Sequence, residues 1–182
     1  MMKKISTYHV CAIAFAIAIN IIGGQIALLL HLPIYLDSIG TFFIAAVCGP
    51  IYGMLPNALS GVAMWMLGDV YSLYYAPVGI LLGLLTGLLF HRTNNVFLTS
   101  LWITLPTSLV SACITAILFG GITSSGSTVF VQILAKFIGL TPACFIVQVL
   151  TDYCDRTLGL SLVKIVIKQM PDRILLKLKN TD

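Results

Sequence analysis

Apolar stretches long enough to form helices alternate along the chain with short segments that are rich in polar residues, glycine and proline. The pattern predicts six transmembrane helices, at about residues 8–30, 36–48, 51–67, 78–90, 96–119 and 129–153. Pro33 follows the first, and the Gly49-Pro50 pair separates the second from the third, because proline cannot continue a helix. We therefore predict an all-α integral membrane protein, built as a six-transmembrane-helix bundle.

The amino-acid composition is typical of a multispanning membrane protein. Of the 182 residues, 59% are hydrophobic and 9% are charged, whereas soluble domains average about 45–50% and 25%. The mean hydropathy is +1.04. At about 20 apolar residues per span, the length suffices for six spans, and we expect no separate soluble domain.

The basic residues are distributed asymmetrically between the predicted loops. If the N-terminus is placed in the cytoplasm, both termini are cytoplasmic, and the outer loops carry only Asp37 and Asp69 as charged residues. This arrangement obeys the positive-inside rule. All lysines and arginines except Lys136 then lie on the cytoplasmic side: Lys3, Lys4, Arg92, Arg156, Lys164, Lys168, Arg173, Lys177 and Lys179.

Two parts of the chain differ in pattern. Residues 1–155 are predicted to form the six-helix membrane domain, and residues 156–182 a cytoplasmic, basic amphipathic tail. In the tail, apolar residues such as Val163 and Ile167 alternate at helical spacing with Lys164 and Lys168. Such a helix either lies on the anionic inner leaflet or is an ordinary positive anchor without a specific partner.

Small residues recur at four-residue spacing, which allows close helix packing in lipid. Gly79, Gly83 and Gly87 form one such row, for which packing inside the bundle is the favoured interpretation. The first helix has two rows, Ala12-Ala16 and Ala14-Ala18, on roughly opposite faces. One row is expected to face the bundle and the other a separate membrane partner, but the spacing does not distinguish them.

Polar residues inside spans are costly and therefore mark candidate sites. Lys136 lies within the predicted sixth helix, with Gln132 one turn away on the same face. We predict an outward-facing substrate cavity in which these two supply hydrogen-bond donors; an internal ion pair of Lys136 with an outer-loop aspartate is the alternative. The other candidate substrate-binding residues are Asn57, Asp37, Asp69, Tyr71, Tyr74 and Tyr75. This composition suits a small, partly planar organic ligand, and Lys136 favours one with an anionic group.

Asp37 precedes the short second helix. A carboxylate at that position either caps the helix N-terminus or contacts ligand. Gln148 and Asp152 lie near the inner end of the last predicted helix and are expected to meet the cytoplasm or a partner.

Catalysis is not indicated by the sequence. HExxH, GxSxG and phosphate-loop motifs are not found, and the five cysteines form no CxxC pair. We predict no enzymatic activity, no metal and no cofactor.

The chain resembles the substrate-binding S component of energy-coupling factor (ECF) transporters, the vitamin-uptake systems of prokaryotes. The resemblance covers the length, the six-span plan and the alanine pattern AIAFAIA at residues 12–18. It includes LDSIGTFFIAAVCGPIYGMLPNALSGV at residues 36–62, where an acidic turn leads into a short helix and a GPxxG junction starts the next.

The resemblance implies a function and a set of partners. An S component captures a vitamin or related heterocyclic micronutrient outside the inner (cytoplasmic) membrane of a prokaryotic cell. A transmembrane coupling subunit and two ABC-type ATPases power its delivery inward. The resemblance assigns the coupling contact to Ala12, Ala14, Ala16 and Ala18, and makes residues 31–37 part of a lid. The alternatives are a ligand-sensing or structural membrane module without transport and, less well supported, a small membrane-embedded enzyme.

Overall fold

The computed structural model describes residues 6–93, 95–123 and 125–179, and over these ranges the chain is all-helical, without β-strands. The positions predicted for Lys3 and Lys4 lie outside them. The helices are α1 (Thr7–Leu29), α2 (Ile39–Cys48), α3 (Pro50–Met66), α4 (Val70–Tyr74), α5 (Ala76–Leu89), α6 (Val96–Phe119), α7 (Ser127–Ile138), α8 (Leu140–Gln169) and α9 (Asp172–Lys179).

Two of these helices, α1 and α6, are long and apolar enough to cross a membrane by length and composition. Helices α2, α5 and α7 are apolar but shorter, with 10, 14 and 12 residues. The prediction of an all-helical fold is confirmed, and two of the helices are candidate membrane spans. The complete six-span bundle and the cytoplasmic placement of both termini remain predictions.

The predicted sixth helix differs from the structure. A break at Gly139, which has a φ of 88°, divides it into α7 and α8. Glycine adopts this conformation without the steric penalty of other residues. Pro142 lies in the first turn of α8, where its missing N–H is tolerated. Helix α8 continues to Gln169, well beyond the predicted end at about residue 153.

Helix α2 is short because the chain preceding it folds back along α1. Residues 30–38, the returning segment, lead from the C-terminal end of α1 to its middle. There the backbone N–H of Gly40 donates to Asn20 Oδ1 at 2.8 Å, and Asn20 Nδ2 donates to Thr41 Oγ1 at 2.9 Å. The carbonyl of Leu36 lies where a side chain at Gly23 would be, so glycine is required for this approach. Helix α2 therefore begins beside the middle of α1.

The glycine row of α5 packs against α3, as predicted for packing within the bundle. A side chain at Gly83 would overlap the carbonyl of Gly53, and one at Gly87 would overlap Pro50. A side chain at Gly79 would likewise overlap the side chain of Asn57. The backbones of the two helices thus approach closely, and this proximity increases the dispersion attraction between them.

The two alanine rows of α1 have different environments. Ala16 is 2% exposed, and its backbone contacts Gly40 at the start of α2. Ala12 is half-buried beside the apolar cluster of Ala16 and Ile44. Ala14 and Ala18 are exposed. The structure therefore distinguishes an inner row, Ala12-Ala16, from an outer row, Ala14-Ala18.

Helix α9 folds back onto the N-terminal end of α1. The ring of His9 shares a hydrogen bond of 3.1 Å with the carbonyl of Leu178, and Lys177 Nζ donates to the hydroxyl of Tyr8 at 3.2 Å. This end of the helices, with α9 and the N-terminus of α1, is called the basic end below, because Arg173 and Lys177 belong to it.

We expect Ala16→Leu to lower the free energy of unfolding by about 1–3 kcal/mol, because Ala16 is buried in a cluster with Ile13 and Ile44 and the added atoms overpack it. Ala14→Leu is the matched control on the exposed row and should change it by less than about 0.5 kcal/mol. Unfolding of the detergent-solubilised protein measures both. Equal effects of the two substitutions would contradict the assignment of the rows.

Candidate functional site

A cavity lies toward the end of the helices opposite the basic end. Its empty volume is about 940 Å³, including the solvent at its open mouth. Near the C-terminal ends of α1 and α3 and near α4, the lining includes Leu32, Met64 and Ser72, and this end of the cavity is called the mouth below. The floor lies near the start of α2. Polar and aromatic side chains converge on this space from α3, α4, α6, α8 and the returning segment, so the cavity is the candidate binding site.

The returning segment forms one wall of the cavity. Its backbone is held at two points: Leu36 N donates to Asp155 Oδ1 at 2.9 Å, and Gly126 N donates to the carbonyl of Leu32 at 3.3 Å. Leu36 has a φ of 53°, a left-handed conformation that costs a non-glycine residue about 1–2 kcal/mol. Tertiary contacts must stabilise this conformation. In this arrangement the side chains of Tyr35 and Asp37 line the cavity.

Four ionisable side chains form a charged cluster at the floor: Asp37, Asp152, Asp155 and Arg156. Arg156 Nη1 lies 2.8 Å from Asp152 Oδ2, which also accepts a hydrogen bond of 2.6 Å from Ser108 Oγ. Arg156 is only 5% exposed. Breaking such a buried pair is costly, because it leaves an uncompensated charge.

Asp37 is linked to the wall formed by α3. Its Oδ1 accepts a hydrogen bond of 2.8 Å from Ser38 Oγ, and Ser38 Oγ accepts one of 3.0 Å from Asn57 Nδ2. Ser38, not Asp37, is the residue that precedes α2, and its side chain makes no capping hydrogen bond. The capping interpretation of Asp37 is therefore wrong in the structure, which places this carboxylate in the cavity lining.

Aromatic residues contribute the opposite side of the cavity. The hydroxyl of Tyr75 lies 2.6 Å from Thr115 Oγ1, which also accepts from Gln148 Nε2 at 2.5 Å. The ring of Tyr71 contacts Phe119 edge-on, with ring centroids 4.8 Å apart. These contacts orient two tyrosines that line the cavity.

Five of the predicted substrate-binding residues line the cavity: Asp37, Asn57, Asp69, Tyr71 and Tyr75. Lys136 and Gln132 lie on the exposed surface of α7 and do not line it. The break at Gly139 is the reason, because it separates α7 from the long helix that carries the cavity residues. Tyr74 is 48% exposed and packs against Phe119.

The residues of α8 that form the floor were not among the predicted site residues. Arg156 was expected in the cytoplasmic tail, and Asp152 and Gln148 were expected to meet the cytoplasm or a partner, but all three are buried. The spacing of Asp152, Asp155 and Arg156 was an available signal, since positions three and four apart share a helix face. Serines of α6 at similar spacing, Ser108 and Ser111, were a second signal.

Comparison of the chain with family models, with curated proteins and with solved structures finds no match. Interpretation of the cavity therefore depends on the residues that line it. Within the described part of the chain, no group of three or more His, Cys, Asp or Glu side chains is arranged to hold a metal ion.

We expect Asp155→Ala to loosen the returning segment, because the substitution leaves the N–H of Leu36 without its acceptor. Hydrogen exchange of residues 32–37 should become at least tenfold faster than in the unmodified protein. Asp155→Asn, which retains a carbonyl oxygen, is the control and should have a smaller effect. Unchanged exchange in Asp155→Ala would contradict the proposed anchoring.

We expect Lys136→Ala to leave ligand binding unchanged, because Lys136 lies outside the cavity lining. This reverses the expectation from the sequence alone. The measurement is the amount of small molecule that co-purifies with the protein, determined by mass spectrometry. Ser111→Leu, which adds bulk to the lining, is the comparison and should reduce that amount severalfold; a similar loss in Lys136→Ala would place the lysine in the site.

Proposed function

We propose that this protein is the membrane-embedded substrate-binding subunit of an ECF-type importer, capturing a vitamin-like heterocyclic micronutrient from outside a prokaryotic cell. The observation that carries the proposal is the polar and aromatic cavity at one end of an apolar helical protein. Leu28 and Leu32 of the cavity lining lie at one end of α1, and the contacts with α9 lie at the other. By the positive-inside rule, a cavity opposite the basic end opens outward.

The surface of α1 supports a membrane partner. The outer row, Ala14 and Ala18, is exposed along with larger apolar residues such as Phe15 and Ile22. Small residues allow a partner helix to approach the backbone of α1 closely. The inner row packs against α2 within the protein. The proposed contact with the coupling subunit therefore involves Ala14 and Ala18, and Ala12 and Ala16 belong to the protein interior.

We assign the ATP hydrolysis that powers the proposed uptake to partner subunits. The sequence has no nucleotide-binding motif of its own, so the proposed complex includes the coupling subunit and two ABC-type ATPases. A ligand-sensing or structural membrane module is the alternative, and it shares the cavity but needs neither the ATPases nor the outer alanine row.

We expect Ala18→Trp to abolish assembly with the coupling subunit and ATPases, because the bulky ring blocks close approach of a partner helix. Ligand binding to the isolated chain should be retained. The measurements are co-purification of the three partners and uptake of the co-purifying small molecule into proteoliposomes.

Leu109→Trp is the control for a bulky ring on an exposed, apolar helix surface elsewhere, since Leu109 is 55% exposed on α6. It should leave assembly intact. Failure of the unmodified protein to assemble with any coupling subunit, together with retained ligand binding, would favour the module without transport.

A further inference from the structure

We infer that the cavity binds a ligand with a positively charged nitrogen group, which pairs with Asp37 and Asp155. The inference rests on the proposed role of the cavity as a ligand site and adds the chemical class of the ligand. It also replaces the anionic ligand that Lys136 suggested in the sequence.

The charges that line the cavity are unbalanced. The lining includes the carboxyl groups of Asp37, Asp69, Asp152 and Asp155, and Arg156 is the one cationic side chain among the described lining residues. Arg156 forms its ion pair with Asp152. Asp69 lies at the mouth and accepts a hydrogen bond from Ser72 Oγ at 2.5 Å. Within the described part of the chain, Asp37 and Asp155 form no ion pair, and the nearby Arg156 is shared among three aspartates.

The two carboxylates both lie next to Leu36. Asp155 Oδ1 accepts from the N–H of Leu36, and Asp37 is the next residue along the chain. Each carboxylate uses Oδ1 for an internal hydrogen bond. Asp155 is 7% exposed. Ionising both carboxyl groups here is costly, because they repel each other and lose hydration, and a bound cation offsets both effects.

Arg156 gives independent evidence that the floor can bind a further hydrogen-bond acceptor. Its side chain lines the cavity and is more than nine-tenths buried, yet Nε has no hydrogen-bond partner among the described residues. A buried donor without a partner is uncommon in proteins. A ligand that places an acceptor atom beside its cationic nitrogen satisfies Arg156 and the two carboxylates together.

The aromatic wall suits the same ligand class. Tyr35, Tyr71 and Tyr75 line the cavity, with Tyr71 and Tyr75 oriented by Phe119 and Thr115. Aromatic rings attract cations electrostatically and pack against planar groups. The combination of unpaired carboxylates with three tyrosines therefore favours a planar cation over a neutral or anionic molecule of similar shape.

The test compares three planar probes of similar shape and different charge: benzamidine as the cation, benzamide as the neutral molecule and benzoate as the anion. Isothermal titration measures their binding to the full, detergent-solubilised chain after removal of co-purifying molecules. We expect benzamidine to bind at least tenfold more tightly than benzamide, and benzoate not to bind. Asp155→Asn and Asp37→Asn should each weaken benzamidine binding at least tenfold.

Asp172→Asn, in α9 and outside the cavity lining, is the matched control and should bind benzamidine like the unmodified protein. If Asp155→Asn does not fold, Asp37→Asn decides the result, because Asp37 holds no backbone N–H of the returning segment. Equal binding of the three probes, tighter binding of benzoate, or no effect of the aspartate substitutions would overturn the inference while leaving the cavity as a ligand site. Binding of none of the probes would overturn the cationic ligand, and the small molecules that co-purify with the protein then decide whether the cavity is a ligand site.

Discussion

Hydrogen bonding of the backbone that leads from the returning segment into α2 is the constraint on which the rest of the structure depends. A backbone that enters the interior of an apolar protein must find hydrogen-bond partners there, because no water replaces them. Asp155 supplies one partner for Leu36, and Asn20 supplies another for Gly40. Since the segment occupies this position, α2 begins halfway along α1 and leaves space above its N-terminus. The cavity is that space. One of its carboxylates, that of Asp155, also anchors the backbone of the returning segment.

Close packing at glycine residues fixes the distances between helices that line this cavity. In lipid, helices gain little from burying apolar side chains against one another, so contact distance matters more than hydrophobicity. Gly53 and Gly83 bring α3 and α5 together, and Gly159 accommodates the ring of Phe42 where α2 meets α8. The separation of α3 and α5 is therefore fixed by backbone contact, and α8, which carries three of the floor residues, is held against α2 by the Phe42 ring. Such positioning favours a pocket that is formed before ligand arrives.

Much of the fold was predictable from hydrophobic periodicity and from the placement of glycine and proline. The helical segments, the short second helix and the glycine row of α5 follow from local sequence. The division at Gly139 was not predictable, because a glycine within an apolar stretch is compatible with a continuous helix. That division removes Lys136 from the site. Arg156 was missed for a different reason: a count of basic residues by loop treats each arginine as solvated, whereas Asp152 neutralises this one inside the protein.

Asn20 has a consequence for the outer surface of α1 as well as for the interior. Its amide binds the backbone of Gly40 and the hydroxyl of Thr41, so it fixes the rotation of α1 about its long axis. A shift by one residue would turn the helix by about 100° and carry a different set of side chains to the periphery. The hydrogen bonds of this one buried amide therefore determine which side chains of α1 face neighbouring molecules.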